Sequence, residues 1–220
     1  MKIAGLDLSI NGSGCVRLEL DKNLDIINKE YLSFTQVKKN STKEILYFSK
    51  KQFKNNFEQN AWTVANIFKI CEGCEYVAIE DYAFGAKGMV FHIGEFIGEI
   101  KRFMYWGWDK NNQGTNLRLY DPCSIKMWAT DRGNATKEDM VDAYDKIHKD
   151  PFKLTFLNRF GSHKEDIVDA YFIATLLVTE LKLRKGLTQL KDLTEKQIQI
   201  FNRTTKSHPT NILATAFYHK

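Results

Sequence analysis

Lys2-Ile3-Ala4-Gly5-Leu6-Asp7-Leu8-Ser9-Ile10 reads as a β-strand with one residue out of place. Ile3, Leu6 and Leu8 suit a buried strand. Asp7 does not, because a carboxylate among apolar residues is expensive unless it is paired or holds a cation. The chain continues into Asn11-Gly12-Ser13-Gly14, a turn rich in residues that tolerate positive φ. Beyond it, Val16, Leu18 and Leu20 alternate with Cys15, Arg17 and Glu19, the period of a half-buried strand. Asp21-Lys22-Asn23 turns the chain again, and residues 24–34 give a third strand. Two short turns in succession imply an antiparallel meander.

Further along, Leu46, Phe53, Phe57, Val64 and Phe68 recur at steps that place them on one helical stripe through an Asn-rich stretch. Residues 75–80 predict a fourth strand, central because Val77, Ala78 and Ile79 are consecutive and apolar. A helix is predicted over 88–106, a fifth strand over 117–121 and an amphipathic helix over 135–149. The last strong helix spans 163–185, with Ser162 as N-cap and Glu165 completing a capping box. Its Ile167, Ala170, Tyr171, Ala174, Leu177, Val178 and Leu181 form one stripe. Phe172, Ile173 and Leu176 make the other side apolar too, so burial on most sides is expected. After Gly186 the character changes to a short helix over 187–203 and a tail over 204–220, anchored if at all by Ile212, Leu213 and Phe217. The expected division is one domain over 1–185 and an extension over 186–220. A meander followed by helices alternating with two more strands predicts an α/β fold: a five-stranded mixed sheet flanked by helices on both sides.

The 220 residues are 43% apolar, enough for a real core, yet no run approaches the ~18–20 apolar residues of a membrane span. The N-terminus lacks a signal-peptide pattern, so a soluble, intracellular (cytoplasmic) protein is expected. Thirty-two Lys and Arg against 27 Asp and Glu give a net charge of +5, which permits a polyanionic partner without demanding one. Basic residues cluster at Lys38, Lys39 and Lys43, at Lys50, Lys51 and Lys54, at Lys101 and Arg102, and at Lys182, Arg184 and Lys185. Cys71-Glu72-Gly73-Cys74 has zinc-knuckle spacing, but no second pair follows, so reduced structural thiols are expected.

Three more carboxylates stand out. Glu80 closes the fourth strand directly after its apolar core. Asp166 and Asp169 lie three apart, about 60° around one face of the last helix. Each has an ordinary explanation: turn amides for Asp7, solvent for Glu80, the helix dipole for Asp166. A local echo competes with the last pair, since Lys-Glu-Asp-Met-Val-Asp-Ala-Tyr at 137–144 repeats Lys-Glu-Asp-Ile-Val-Asp-Ala-Tyr at 164–171. The earlier copy, with Asp139 and Asp142, continues into a polar helix. A metal site wants a packed, rigid support, which favours the later copy.

Taken together, Gly5-Leu6-Asp7-Leu8-Ser9, Ala78-Ile79-Glu80 and Asp166-Ile167-Val168-Asp169-Ala170-Tyr171 resemble, in this order and over roughly residues 1–183, the RuvC-type Holliday junction resolvases of the RNase H-like superfamily. The small, Lys- and Asn-rich chain with its own tail hints at a bacteriophage member. The resemblance implies that Asp7, Glu80, Asp166 and Asp169 hold two Mg²⁺ ions, with Mn²⁺ able to substitute. It also implies that Lys126 and Lys137 face the cleaved phosphate, where a cation stabilises developing charge. Hard carboxylate oxygens suit Mg²⁺, and a pair of such ions suits phosphodiester hydrolysis.

An aromatic near the glutamate is implied as a wedge at the junction centre. Here Tyr82 and Phe84 flank the family's position, which is Ala83; Lys87 follows in the same loop and His163 precedes Asp166, so all four are candidate DNA contacts. The family dimerises through a helix equivalent to 88–106, where Gly94 and Gly98 permit close approach. Packing of those glycines on the chain's own sheet is the alternative. The leading expectation is a metal-dependent endonuclease acting on four-way and other branched DNA as a homodimer. Other RNase H-like nucleases, on RNA–DNA hybrids or as exonucleases, remain a second reading, although Ser9 stands where a proofreading exonuclease would want Glu. A non-catalytic junction-binding protein is the third.

Overall fold

A computed structural model describes residues 1–10, 12–35, 45–47, 52–81, 90–106, 115–148 and 164–207. Tyr82, Phe84, Lys87, Ser162, His163, the basic residues at 38, 39, 43, 50 and 51, and the tail anchors at 212, 213 and 217 lie outside them. Strands β1 (Lys2–Asp7), β2 (Gly12–Leu20) and β3 (Ile26–Thr35) form the antiparallel meander. A short β4 (Ile45–Tyr47) runs parallel to β3. After α1 (Asn56–Cys71), β5 (Tyr76–Glu80) returns parallel to β1. Helix α2 (Val90–Trp106) leads to β6 (Asn116–Tyr120), parallel to β5. The sheet order is β4-β3-β2-β1-β5-β6, which is the expected five-stranded mixed sheet plus one short edge strand. Among the described residues four α-helices follow: α3 (Pro122–Thr130), α4 (Lys137–Ile147), α5 (Lys164–Arg184) and α6 (Glu195–Ser207).

β1 and β5 sit at the centre of the sheet and are covered on both faces. In β1, Ala4 and Leu6 point into a core with Val64 and Ile67 of α1 and Phe96, Ile97 and Ile100 of α2. Ile3 points the opposite way, into a core with Ile167, Ala170, Ala174 and Leu177 of α5. Side chains alternate along a strand, so Gly5 and Asp7 share the α5 face with Ile3. α5 is apolar all round because the sheet, α3 and α4 enclose it. No helix among the described residues is long and apolar enough to cross a membrane.

Several local expectations are corrected. β2 begins at Gly12, so Gly12-Ser13-Gly14 is strand, and Gly73 and Gly186 are the glycines with positive φ among the described residues. Leu46 lies in β4, not on the helical stripe. α1 starts only at Asn56, where the Asn55 side chain accepts from the Glu58 N–H. α3 was not expected at all, although Asp121 caps it through the Ser124 N–H and Pro122 opens its first turn. Cys71 and Cys74 are buried and unbridged, and burial pushes both thiols up, Cys74 to about 11. Past Gly186, α6 lies against α3, with Ile200 and Phe201 fully buried.

Candidate active site

Asp7 is the last residue of β1 and Glu80 the last of β5, and the two strands are parallel neighbours with Leu6 beside Ile79. Their carboxylates therefore leave the sheet at the same end. α5 supplies the other pair, and two glycines let it lie directly on the sheet. A Cβ on Gly5 would fall 2.3 Å from the Ala170 carbonyl oxygen, and one on Gly14 2.0 Å from that of Asp166. Gly14 pairs with Asp7 across β1 and β2, so the first turn of α5 sits over the strand end that carries Asp7. The turn beyond Asp7 is braced: Ser9 N–H donates to Ser13 Oγ, whose hydroxyl returns to Ser9 O, and the buried Gln59 amide donates to Ile10 O at 2.9 Å.

The electrostatics show which side chains share this space. Asp7 is pushed well above the ordinary carboxyl range by burial, then by Glu80, Asp169 and Asp166. Glu80 rises to about 7 through burial and the charge of Asp169, against relief from Lys126 and Lys137; Asp121 adds a smaller push. Asp169 rises to about 6 through burial and Asp166, again opposed by Lys137 and Lys126. Lys137 opens α4 and reaches Glu165 Oε2 at 3.4 Å and Asp166 Oδ1 at 3.6 Å. Burial works against its ammonium, but Asp166, Asp7, Asp169 and Glu165 outweigh it and raise its pKa. Lys126 stands on α3, immediately after β6. The fold thus gathers Asp7, Glu80, Asp166, Asp169, Lys126 and Lys137 into one electrostatic neighbourhood.

The earlier copy of the repeat contributes Lys137, but its acids are turned to other uses. Asp139 completes a capping box with Thr136 and pairs with Arg132 at 2.6 Å, while Asp142 is exposed on α4. Two contributors escaped sequence reasoning. Glu165, read as a cap partner, holds Lys137. Gln59, in a polar run of α1, gave no sign of reaching the turn after Asp7.

The donor set fits divalent metal. Four carboxylates without sulfur or imidazole are hard oxygen ligands of the kind Mg²⁺ prefers. Two lysines leave them undercompensated, as the raised carboxyl pKa values of Asp7, Glu80 and Asp169 record. Among the described residues the acids do not close into a tight cage of three or more.

No protein-family model and no curated protein sequence matches the chain. Solved structures do. Thermus thermophilus RuvC is similar at a TM-score of 0.53 and 17% identity, covering 85% of this chain and 98% of that one. The T. thermophilus RuvC complex with Holliday junction substrate gives 0.52 and 16% over the same shares. The complex of Fowlpox virus resolvase with substrate Holliday junction DNA gives 0.50 and 16%, covering 82% and 99%. With its mixed sheet and its helices on both faces, the chain has the α/β fold of these RuvC-type structures.

Proposed function

We propose that the chain is a structure-selective DNA endonuclease that resolves four-way and other branched junctions by Mg²⁺-dependent phosphodiester hydrolysis, Mn²⁺ substituting. The observation that carries this is that Asp7 and Glu80 end neighbouring parallel strands directly beneath the start of α5, which bears Asp166 and Asp169, with Lys137 reaching Asp166. Solved proteins of the same fold are described as bound to Holliday junction substrates. Fold alone does not give function, so the carboxylates carry the argument.

In this reading the four carboxylates hold two metal ions. When bound, such ions neutralise the attacking and leaving oxygens and lower the pKa of a bound water. Lys126 and Lys137 meet the scissile phosphate and stabilise charge that builds on it. Glu165 keeps Lys137 turned toward the site. Tyr82, Phe84, Lys87 and His163 are proposed contacts to the junction.

The working form is a homodimer through α2. Among the described residues, a Cβ on Gly94 or Gly98 would meet nothing within 4 Å. Phe91 on the same helix is 87% exposed and Phe57 on the adjacent end of α1 is 78% exposed. Large exposed aromatics beside open glycines suit a close helix-to-helix interface, and a two-fold pair suits two symmetric nicks.

The test incubates purified protein with a four-way junction, a linear duplex and an RNA–DNA hybrid, with and without Mg²⁺. Branched DNA should be cut in paired symmetric nicks. Asp7→Asn, Glu80→Gln and Asp169→Asn should abolish cutting and keep binding. Equal cutting of the hybrid would sink the junction-selective reading, and a monomer by sedimentation would sink the dimer.

A further inference from the structure

α3 serves two neighbours from two faces. Lys126 extends its field to Glu80 and Asp169. Trp128, two residues on, points about 200° around the helix. Its indole N–H donates to Thr175 Oγ1 of α5 at 3.2 Å, and its ring meets Phe201 of α6 edge-on, with centroids 6.4 Å apart at 71°. At the far end of α3, Asp131 turns into the left-handed region at φ 60, and its carbonyl accepts from Lys196 Nζ of α6 at 2.9 Å. α6 therefore holds α3 twice, by a buried ring and by the carbonyl of its C-cap.

That hold matters because α3 has only nine residues. Helices shorter than about 12–15 residues are marginal alone, so packing sets the position of this one. The loop after it is just as tight: a Cβ on Gly133 would stand 2.2 Å from Cys123 Sγ. A charge acting on a reacting phosphate tolerates little movement, and a misplacement of about 1 Å costs on the order of 100-fold in rate.

We propose that α6 is a strut for the active site and that Phe201 and Lys196 are positioning residues, which act through α3 to fix where the Lys126 ammonium stands. This rests on the nuclease reading above. Phe201 touches neither substrate nor metal in this scheme. Its contribution passes through Trp128 and the backbone of α3.

The test uses the full chain with a four-way junction and Mg²⁺. Phe201→Ala, the milder Phe201→Leu and the surface change Lys196→Ala are each made alone and combined with Lys126→Ala. Single-turnover cutting should fall about 10-fold or more in Phe201→Ala, with junction affinity held within about twofold and Phe201→Leu recovering most of the rate. In the Lys126→Ala background the same changes should add less than about twofold, because the group they position is gone. Full additivity overturns the proposal. Amide hydrogen exchange supplies a readout free of catalysis: residues 125–131 should exchange faster in all three single variants while α4 keeps its protection. Unchanged exchange in α3 overturns the strut. If the wild type cuts no branched DNA, the nuclease reading falls, and the exchange result still decides whether α6 holds α3.

Discussion

A Cβ on Gly14 would stand 2.0 Å from the carbonyl oxygen of Asp166 and 2.3 Å from its carbonyl carbon. The obstacle is backbone and cannot swing aside. Gly14→Ala must therefore lift the start of α5 off β2 and carry Asp166 away from Asp7. Overpacking of this kind costs about 1–3 kcal/mol and occasionally more. Thermal unfolding should show a lower Tm, and the Tm gain that Mg²⁺ gives the wild type should shrink or vanish. A Gly14→Ala protein with full Mg²⁺ stabilisation would show that the close approach does not position the ligands.

The site should make the metal-free protein sensitive to alkali rather than acid. Glu80 moves from an ordinary 4.5 to about 7 on folding and Asp169 from 3.8 to about 6. Their folded forms bind protons more tightly than the unfolded chain does. The stability they contribute is fully present below about pH 4 and is lost as pH rises through 6–7. In EDTA, Glu80→Gln should thus be more stable than wild type at pH 8 and should converge with it near pH 4. Urea unfolding at both pH values checks this. Mg²⁺ should reverse the order at pH 8, since only the wild type keeps all four ligands. A wild type equally stable at both pH values in EDTA would contradict the crowding of charge.

What the sequence made legible were residues that break a pattern. Asp7 and Glu80 interrupt apolar strands, and Asp166 and Asp169 interrupt an apolar helix, so each announces itself without a structure. Gly14 was misread because glycine serves both positive φ and close approach, and the letter does not say which. Leu46 fell on a helical period by coincidence of spacing. α3 was missed because about two turns are too few to establish a period, though the cap at Asp121 and Pro122 was there to be read. The support from α6 and Gln59 depends on partners 73 and 49 positions away (Phe201 to Trp128, Gln59 to Ile10), which no local pattern encodes.

Arg118 and Glu180 are a further case, an ion pair with both side chains fully buried. Arg118 Nε donates to Glu180 Oε2 at 2.8 Å, Tyr120 OH donates to the same oxygen at 2.7 Å, and Arg184 holds Oε1 at 3.0 Å. Among the described residues the two terminal nitrogens of Arg118 have no hydrogen-bond partner, and Glu180 supplies the balancing charge. Glu180→Ala should cost about 3–5 kcal/mol because it strands a buried guanidinium. Replacing the pair together, as Arg118→Met with Glu180→Leu, should recover much of that loss. Urea unfolding of the single and double variants separates the outcomes. Equal loss in both would mean the pair itself, and not the stranded charge, sets the cost.

The repeated Lys-Glu-Asp segments give the sharpest contrast available in one chain. Asp139 is held below the ordinary carboxyl range, first by the Thr136 N–H and hydroxyl and then by Arg132. Asp169 is pushed up to about 6. In the repeat Asp139 answers to Asp166 and Asp142 to Asp169, but the two helices place these acids differently: α4 presents them to a cap and to solvent, α5 to other acids. Asp139→Ala should lower Tm by removing the capping box, leaving cutting at permissive temperature intact. Asp142→Asn should change neither. Asp169→Asn should raise the metal-free Tm at pH 8, by relief of repulsion, while abolishing Mg²⁺-dependent cutting. Stability and activity then move in opposite directions at one copy and not at the other. Loss of cutting in Asp142→Asn would place the metal site on α4.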